Sequence, residues 1–325
     1  MTVAVIFTGG TISVLPDPAS GAAVPALDGR AILERTPGLD EIAHVEVIDW
    51  GLMPASHFSF GQLLDIARTV QDALDRPEVD GAVVVQGTDN IEETAFGWDL
   101  LLRGPKPVAV VGAMRNAAVD GYDGPANLRA AVRVAASPLL REQGVLVVMD
   151  GRILPADDAT KLHTHAYGTF AALNAGPLGV VDETGITLSG RRARRRQLKG
   201  VPEAAVEPIF LVTVTLGMDG RLVELARAAG ARGFVIAATG AGNTPPSLLE
   251  AAGDALEAGL PVVLTTRCPS GRATPTYGFP GGGRTWADAG AIMCGYLGGP
   301  KARVALALGL GAGLDRAGLM RLLGD

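Results

Sequence analysis

In Gly81-Ala82-Val83-Val84-Val85-Gln86-Gly87-Thr88-Asp89-Asn90-Ile91-Glu92-Glu93-Thr94 an unbroken apolar run stops at Gln86 and a helical pattern begins at Ile91. Five consecutive Gly, Ala and Val residues leave no polar face, as expected of a strand covered on both sides. Thr88 and Asp89 follow where a helix needs acceptors for its first free N–H groups. Glu92 and Glu93 add negative charge where the helix dipole favours it. The segment therefore reads as strand, tight turn and helix, which is half of a βαβ unit.

Similar apolar runs stand at residues 3–7, 45–48, 108–111 and 145–149, and patterns with three- and four-residue apolar spacing occupy 60–75 and 91–102. This alternation predicts a parallel sheet with helices on both faces. The pattern changes at 180–188, which reads as a hairpin around Glu183-Thr184-Gly185. Next come Arg191-Arg192-Ala193-Arg194-Arg195-Arg196 and a polar stretch holding Pro202 and Pro208. Apolar runs resume at 209–215, 233–238 and 262–266, with helices expected near 220–229 and 247–258. The expected fold is α/β in two domains. A larger N-terminal parallel-sheet domain spans 1–190, a linker 191–207, and a smaller C-terminal α/β domain 208–325. The arginine run is expected to be a solvated part of that linker.

Composition narrows the function classes. The chain has 325 residues, 48% hydrophobic and 19% charged, which fits a globular protein with sizeable cores. Aromatics are only 5%, so those cores must be aliphatic. The net charge of −6 is the reverse of a nucleic-acid binder's balance. Two cysteines, Cys268 and Cys294, supply neither a disulfide framework nor a metal-site spacing. No basic segment and cleavage site mark a signal peptide, and no apolar stretch reaches membrane-spanning length, so a cytoplasmic protein with no membrane partner is expected.

Three segments carry candidate chemistry. Thr8-Gly9-Gly10-Thr11-Ile12 follows the first apolar run, where an open α/β sheet binds ligands. Its glycines let backbone amides approach a ligand, and Thr11 adds a hydroxyl. It is neither a dinucleotide fingerprint nor a phosphate-binding loop, and by itself it is equally a tight turn before a helix. Residues 16–25, rich in Pro, Gly and Ala, read as a mobile loop that closes over a site. In the second segment, Thr88 and Asp89 serve either as helix caps or as a hydroxyl and a carboxylate placed to bind a substrate ammonium.

The third segment is Asp157-Asp158-Ala159-Thr160-Lys161-Leu162-His163-Thr164-His165. A lysine acting as a base needs desolvation or cationic neighbours, and an adjacent Asp works the other way, so Lys161 reads either as a base or as a surface ion-pair partner. His163 and His165 alternate as two ligands on one side of a strand would, but no third ligand is evident and no metal is expected.

Taken together these segments resemble the bacterial-type L-asparaginase family, over essentially the whole chain. Thr8-Gly9-Gly10-Thr11-Ile12 matches its first motif, and Gly87-Thr88-Asp89 with Glu92-Glu93-Thr94 its second. Val111-Gly112-Ala113-Met114-Arg115, Asp123-Gly124-Pro125-Ala126-Asn127-Leu128, Thr160-Lys161, Gly176-Pro177-Leu178-Gly179 and Lys301-Ala302-Arg303 also match, in order.

The resemblance implies hydrolysis of L-asparagine without a cofactor. Thr11 is implied as nucleophile, with Thr88, Lys161 and Asp89 as a second hydroxyl–base–carboxylate set. Which threonine attacks stays open at this point. Ser56 is implied to bind the substrate α-carboxylate and Asp89 the α-ammonium, with Gly10, His57, Gly87, Ala113 and Met114 completing the substrate site. The resemblance also implies a homo-oligomer, dimer or tetramer, acting on a small-molecule amide. Departures stand at Gln86, Asn90, Ala22, His57 and Pro245, and Tyr277 lies near where the family places a glutamate. They leave an amidase for a related carboxamide, or a weakly catalytic small-molecule binding protein, as alternatives. The site and not the fold decides among these.

Overall fold

The computed structural model describes residues 1–17, 19–193 and 195–324, and all structural statements concern these. The chain divides into two compact units, Met1–Val201 and Pro202–Asp325. In the first unit the apolar runs become the middle of an eight-stranded sheet. His44–Asp49, Thr2–Phe7, Gly81–Val85, Val108–Val111 and Val145–Met149 lie side by side in that order, all parallel. Gly81–Val85, Val108–Val111 and Val145–Met149 are buried at every position, which is why they carry no polar alternation. Thr2–Phe7 sits between His44–Asp49, the next parallel strand of this sheet in the sequence, and Gly81–Val85, the one after that. The strand order therefore reverses between Thr2–Phe7 and Gly81–Val85, and the crevice at their carboxyl ends is where such sheets bind ligands.

Beyond Val145–Met149 the sheet turns antiparallel through Arg152–Pro155, Gly179–Asp182 and Gly185–Leu188. The last pair is the expected hairpin, with Asp182 opposite Gly185. Arg152–Pro155 was not expected. It folds back through Asp150 and Gly151, both at positive φ (51° and 69°), the conformation that a tight hairpin turn requires.

Helix Phe60–Asp75 begins in a capping box between Ser59 and Gln62 and buries Phe60, Leu63, Leu64, Ile66, Ala67 and Val70 along one stripe. Helix Ile91–Leu101 is buried nearly all round, and Asp99 lies inside with the apolar residues. Helix Gly124–Ala135 closes on the sheet at Gly81, where a Cβ would lie 2.0 Å from the Ala135 carbonyl oxygen. The segment expected as a mobile loop is flanked by a short hairpin pairing of Val14–Pro16 with Ala23–Pro25. Its turn is fastened by the Asp17 carboxylate, which accepts from Ser20 N (2.7 Å) and Ala19 N (3.1 Å). Pro18 lies outside the described residues.

The second unit repeats the principle on a smaller scale. Ile209–Thr213, Gly233–Ala238, Val262–Thr266 and Ile292–Met293 form a parallel four-stranded sheet in sequence order. Its core gathers Phe234, Ile236, Leu248, Val262, Leu264 and Trp286. No described helix of either unit is long and apolar enough to cross a membrane.

The arginine run differs from its expected solvated state. The Arg192 side chain is 5% exposed and donates to both oxygens of Asp99 (3.0 and 2.7 Å) and to Asp157 (3.0 Å). Arg195 adds a bond to Asp99 at 3.2 Å, and Arg196 stands 3.7 Å from Asp157. Burial disfavours the charged form of Arg192, but Asp99 and then Asp157 outweigh it and hold its pKa above the ordinary arginine value. The cause of the packing is Asp99, a carboxylate inside an apolar helix whose charge is costly to bury without a partner. Arg194 lies outside the described residues.

Asp99→Ala would remove the buried carboxylate that Arg192 and Arg195 share, leaving Asp157 as the carboxylate on Arg192. The expected cost is about 3–5 kcal/mol, read as a melting temperature lower by roughly 6–20 °C in thermal denaturation. Arg191→Ala, whose side chain is exposed, should move it far less.

Candidate active site

The candidate residues of the first unit lie where strands end. The Thr2–Phe7 strand leads into Thr8–Thr11, Gly81–Val85 into Gln86–Asn90, and Val108–Val111 into Gly112–Met114. Gly10 has φ 93°, and a Cβ there would stand 2.1 Å from the Gly87 nitrogen and 2.3 Å from the Gly87 Cα. The two turns thus meet backbone to backbone, a contact open only to glycine at position 10. Thr8 N and Oγ1 both donate to the Val85 carbonyl at 3.0 Å and tie the two strand ends together.

Thr11 starts a single 3-10 turn, Thr11–Ser13, closed by Ser13 N and Oγ donating to the Gly10 carbonyl (2.9 and 2.7 Å). Thr88 starts the matching turn Thr88–Asn90, which runs straight into helix Ile91–Leu101. The Asn90 side chain donates to the Ala55 carbonyl at 3.1 Å. That bond holds the turn Ala55–His57 beside it, so Ser56 and His57, both exposed, stand at the rim.

Lys161 arrives from a different direction. It ends the strand Ala159–Lys161, which pairs with Phe170–Ala172 outside the main sheet. Its Nζ lies 2.9 Å from Thr88 Oγ1 and 2.9 Å from Asp89 Oδ1. The Lys161 side chain is 18% exposed and that of Asp89 68%, so the ion pair contributes at most about 1 kcal/mol to stability. Its value lies in orienting the amine beside the hydroxyl. The structure therefore brings Thr88, Asp89 and Lys161 into one hydrogen-bonded set, and Thr11 follows Gly10, whose backbone touches that of Gly87.

Ala113 is buried and Met114 half-buried, on a loop organised by Asp123. The Asp123 carboxylate accepts from Met114 N (3.0 Å) and Arg115 N (2.9 Å), and Asn127 Nδ2 bonds both Asp123 (2.9 Å) and the Gly112 carbonyl (3.1 Å). Gly112 packs against the second turn, where a Cβ would lie 2.6 Å from the Gln86 carbonyl oxygen.

Sequence reading missed three contributions. Glu92 accepts the Lys161 backbone N–H at 3.1 Å, so it does more than favour the helix dipole. Gln86 is fixed by the Thr94 hydroxyl, which donates to its side-chain oxygen at 2.9 Å. Tyr122 donates its hydroxyl to the Ile12 carbonyl at 2.8 Å. Burial, then the negative charge of Asp123, raises the Tyr122 phenol to about 12. Spacing of chemical types hinted only at Asp123 and Asn127, four apart at a helix start.

His163 and His165 do not lie on a strand. His163 Nδ1 accepts the N–H groups of His165 and Ala166, each at 3.0 Å, which occupies the lone pair a metal would need there. The described residues hold no group of three metal-ligating side chains. Pro245 and Tyr277 belong to the second unit, where the exposed Tyr277 ring lies beside Phe279 at 5.6 Å between centroids.

Comparison with known proteins shows the family. Residues 2–194 match the family described as Asparaginase, N-terminal, and residues 208–323 the Glutaminase/Asparaginase C-terminal domain. A probable L-asparaginase of Deinococcus radiodurans is 36% identical, covering 98% of this chain and 96% of the relative. L-asparaginase of Bacillus licheniformis is 32% identical, covering 94% of each. L-asparaginase 2 of Escherichia coli is also 32% identical, over 95% of this chain and 88% of the relative.

The Gly10–Gly87 contact gives a direct test. Gly10→Ala combines an unfavourable positive φ with a clash against backbone, and is expected to cost about 2–5 kcal/mol. Gly38→Ala, also at positive φ (81°) but facing open space, should cost only about 1 kcal/mol. Thermal melts of the two variants side by side check the difference.

Proposed function

The chain belongs to the asparaginase family and is an amidohydrolase, and from that premise we propose that it hydrolyses L-asparagine to L-aspartate and ammonia, using Thr11, Thr88 and Lys161. The observation that carries this reading is Lys161 Nζ at 2.9 Å from both Thr88 Oγ1 and Asp89 Oδ1. An amine 2.9 Å from a hydroxyl is within hydrogen-bond reach of the proton a base must take, and the Asp89 carboxylate fixes where that amine points.

In this mechanism Thr11 Oγ1 attacks the side-chain amide carbon. Negative charge gathers on the carbonyl oxygen, and backbone N–H groups of the glycine turns stabilise it. The Thr11 hydroxyl proton passes to the amide nitrogen, the C–N bond breaks, and ammonia leaves an ester on Thr11. A water molecule then adds to the ester. Thr88 and Lys161 take the proton from that water and return it to the Thr11 oxygen as the ester bond breaks and aspartate is released. The sum is amide plus water giving acid plus ammonia.

Ser56 binds the α-carboxylate and Asp89 the α-ammonium, with Gly10, His57, Gly87, Ala113 and Met114 lining the remainder. The high exposure of Asp89 supports its role toward a ligand arriving from solvent. The reading includes a homo-oligomer, dimer or tetramer, and a cytoplasmic location.

Ammonia release measured on L-Asn, D-Asn, L-Gln and simple amides tests the substrate. Turnover of another amide with none of L-Asn would replace this reading by a related amidase. Thr11→Ala should abolish nearly all turnover with the melting temperature preserved. Lys161→Met should lower kcat by about 100-fold or more. An unchanged kcat in Lys161→Met would show that this lysine is an ion-pair partner only.

A further inference from the structure

Thr11 sits on a weakly self-supporting element. A lone 3-10 turn of three residues has little intrinsic stability. The Ser13 bonds to Gly10 close the turn on itself; Gly10 rests on Gly87 at one end, and at the other the Ser13 carbonyl accepts from Ala26 N (2.8 Å) and Leu27 N (2.9 Å), which leaves the peptide group between Ile12 and Ser13 to be fixed from elsewhere. The chain enters it at positive φ and leaves it into the hairpin of Val14–Pro16 with Ala23–Pro25. The buried Ile12 side chain anchors one face. A hydrogen bond from a remote segment then fixes the peptide group that follows.

We propose that Tyr122 is a positioning residue for Thr11, its hydroxyl holding the Ile12 carbonyl at 2.8 Å so that the Thr11–Ser13 turn stays in register with Thr88 and Lys161. The inference rests on the reading of Thr11 as nucleophile.

The segment that carries Tyr122 is itself braced from the Lys161 side. Tyr167, six residues beyond Lys161, donates its hydroxyl to the Gly121 carbonyl at 2.7 Å. The Arg115 guanidinium stacks over the Tyr167 ring at 4.8 Å and donates to the Asp120 carbonyl at 2.7 Å. Asp123 fastens the same segment to Met114 and Arg115. The Tyr122 ring lies flat on Gly124, where a Cβ would come within 2.4 Å of the ring and hydroxyl. Residues 120–123 thus transmit a position set near Lys161 to the turn that bears Thr11. With its phenol raised to about 12 by burial and Asp123, Tyr122 stays a neutral donor through any ordinary assay range.

A hydroxyl that places a nucleophile should affect turnover and leave ground-state binding nearly untouched. Tyr122→Phe keeps the ring and removes the bond. Its kcat for L-Asn is expected to fall by about 10-fold or more, with KM within about twofold and a melting temperature within about 3 °C of the parent. Tyr167→Phe should have a smaller effect of the same kind. The double variant should be no slower than Tyr122→Phe, because Tyr167 acts through Gly121 and Tyr122. A kcat within twofold of the parent in Tyr122→Phe would overturn the inference. So would a loss of kcat that comes with an equal loss of melting temperature, which marks a packing role. Thr11→Ala separates the two levels. If it is inactive while Tyr122→Phe is fully active, only the role of Tyr122 fails; if Thr11→Ala itself is active, the nucleophile reading fails first.

Discussion

The site depends on the backbone of Gly10 lying against the backbone of Gly87. The two strands that precede these residues are hydrogen-bonded neighbours, about 4.8 Å apart as in any sheet. The turns after them would diverge if side chains stood between them. With no Cβ at position 10 they converge instead, at the residues that immediately precede Thr11 and Thr88. This convergence lies where the strand order reverses. The arrangement of the candidate site is therefore a consequence of sheet topology and one missing methyl group.

Lys161 is brought to that crevice by a separate device. Its strand is three residues long and pairs outside the main sheet, so it needs external support. Helix Ile91–Leu101 supplies it at both ends. Glu92, at the start, holds the Lys161 backbone; Asp99, near the finish, holds Arg192, which in turn holds Asp157, four residues before Lys161. The same helix begins at the turn of Thr88. Hydroxyl, carboxylate and amine therefore refer to a single rigid element, which is a better guarantee of spacing than the exposed ion pair between Asp89 and Lys161.

Much of this was legible because buried parallel strands are written as unbroken apolar runs. Gly81–Val85, Val108–Val111 and Val145–Met149 have the limits read from sequence. The antiparallel strand Arg152–Pro155 was passed over although Asp150-Gly151 is a strong hairpin signal, since four residues show little periodicity. The pairing of Lys161 with Thr88 spans 73 positions, and only the family resemblance suggested it. The arginine run misled for a physical reason: charge implies water unless a partner is buried, and that partner, Asp99, lies 93 residues from Arg192 within an apolar pattern. Tyr122 gave no signal, because a single hydroxyl reaching a carbonyl 110 residues away leaves no trace in spacing.

The arginine strap has a practical consequence for cutting the chain. A fragment ended at residue 190, where the apolar pattern stops, would lack Arg192 and Arg195 and strand Asp99 as an unpaired carboxylate within its interior. A fragment ended at residue 201 would keep both guanidinium groups, and also the backbone bond from Leu198 N to the Leu100 carbonyl at 2.8 Å. Arg192, Arg195 and Leu198, which by composition look like parts of a tether, are thus bonded into the fabric of the first unit.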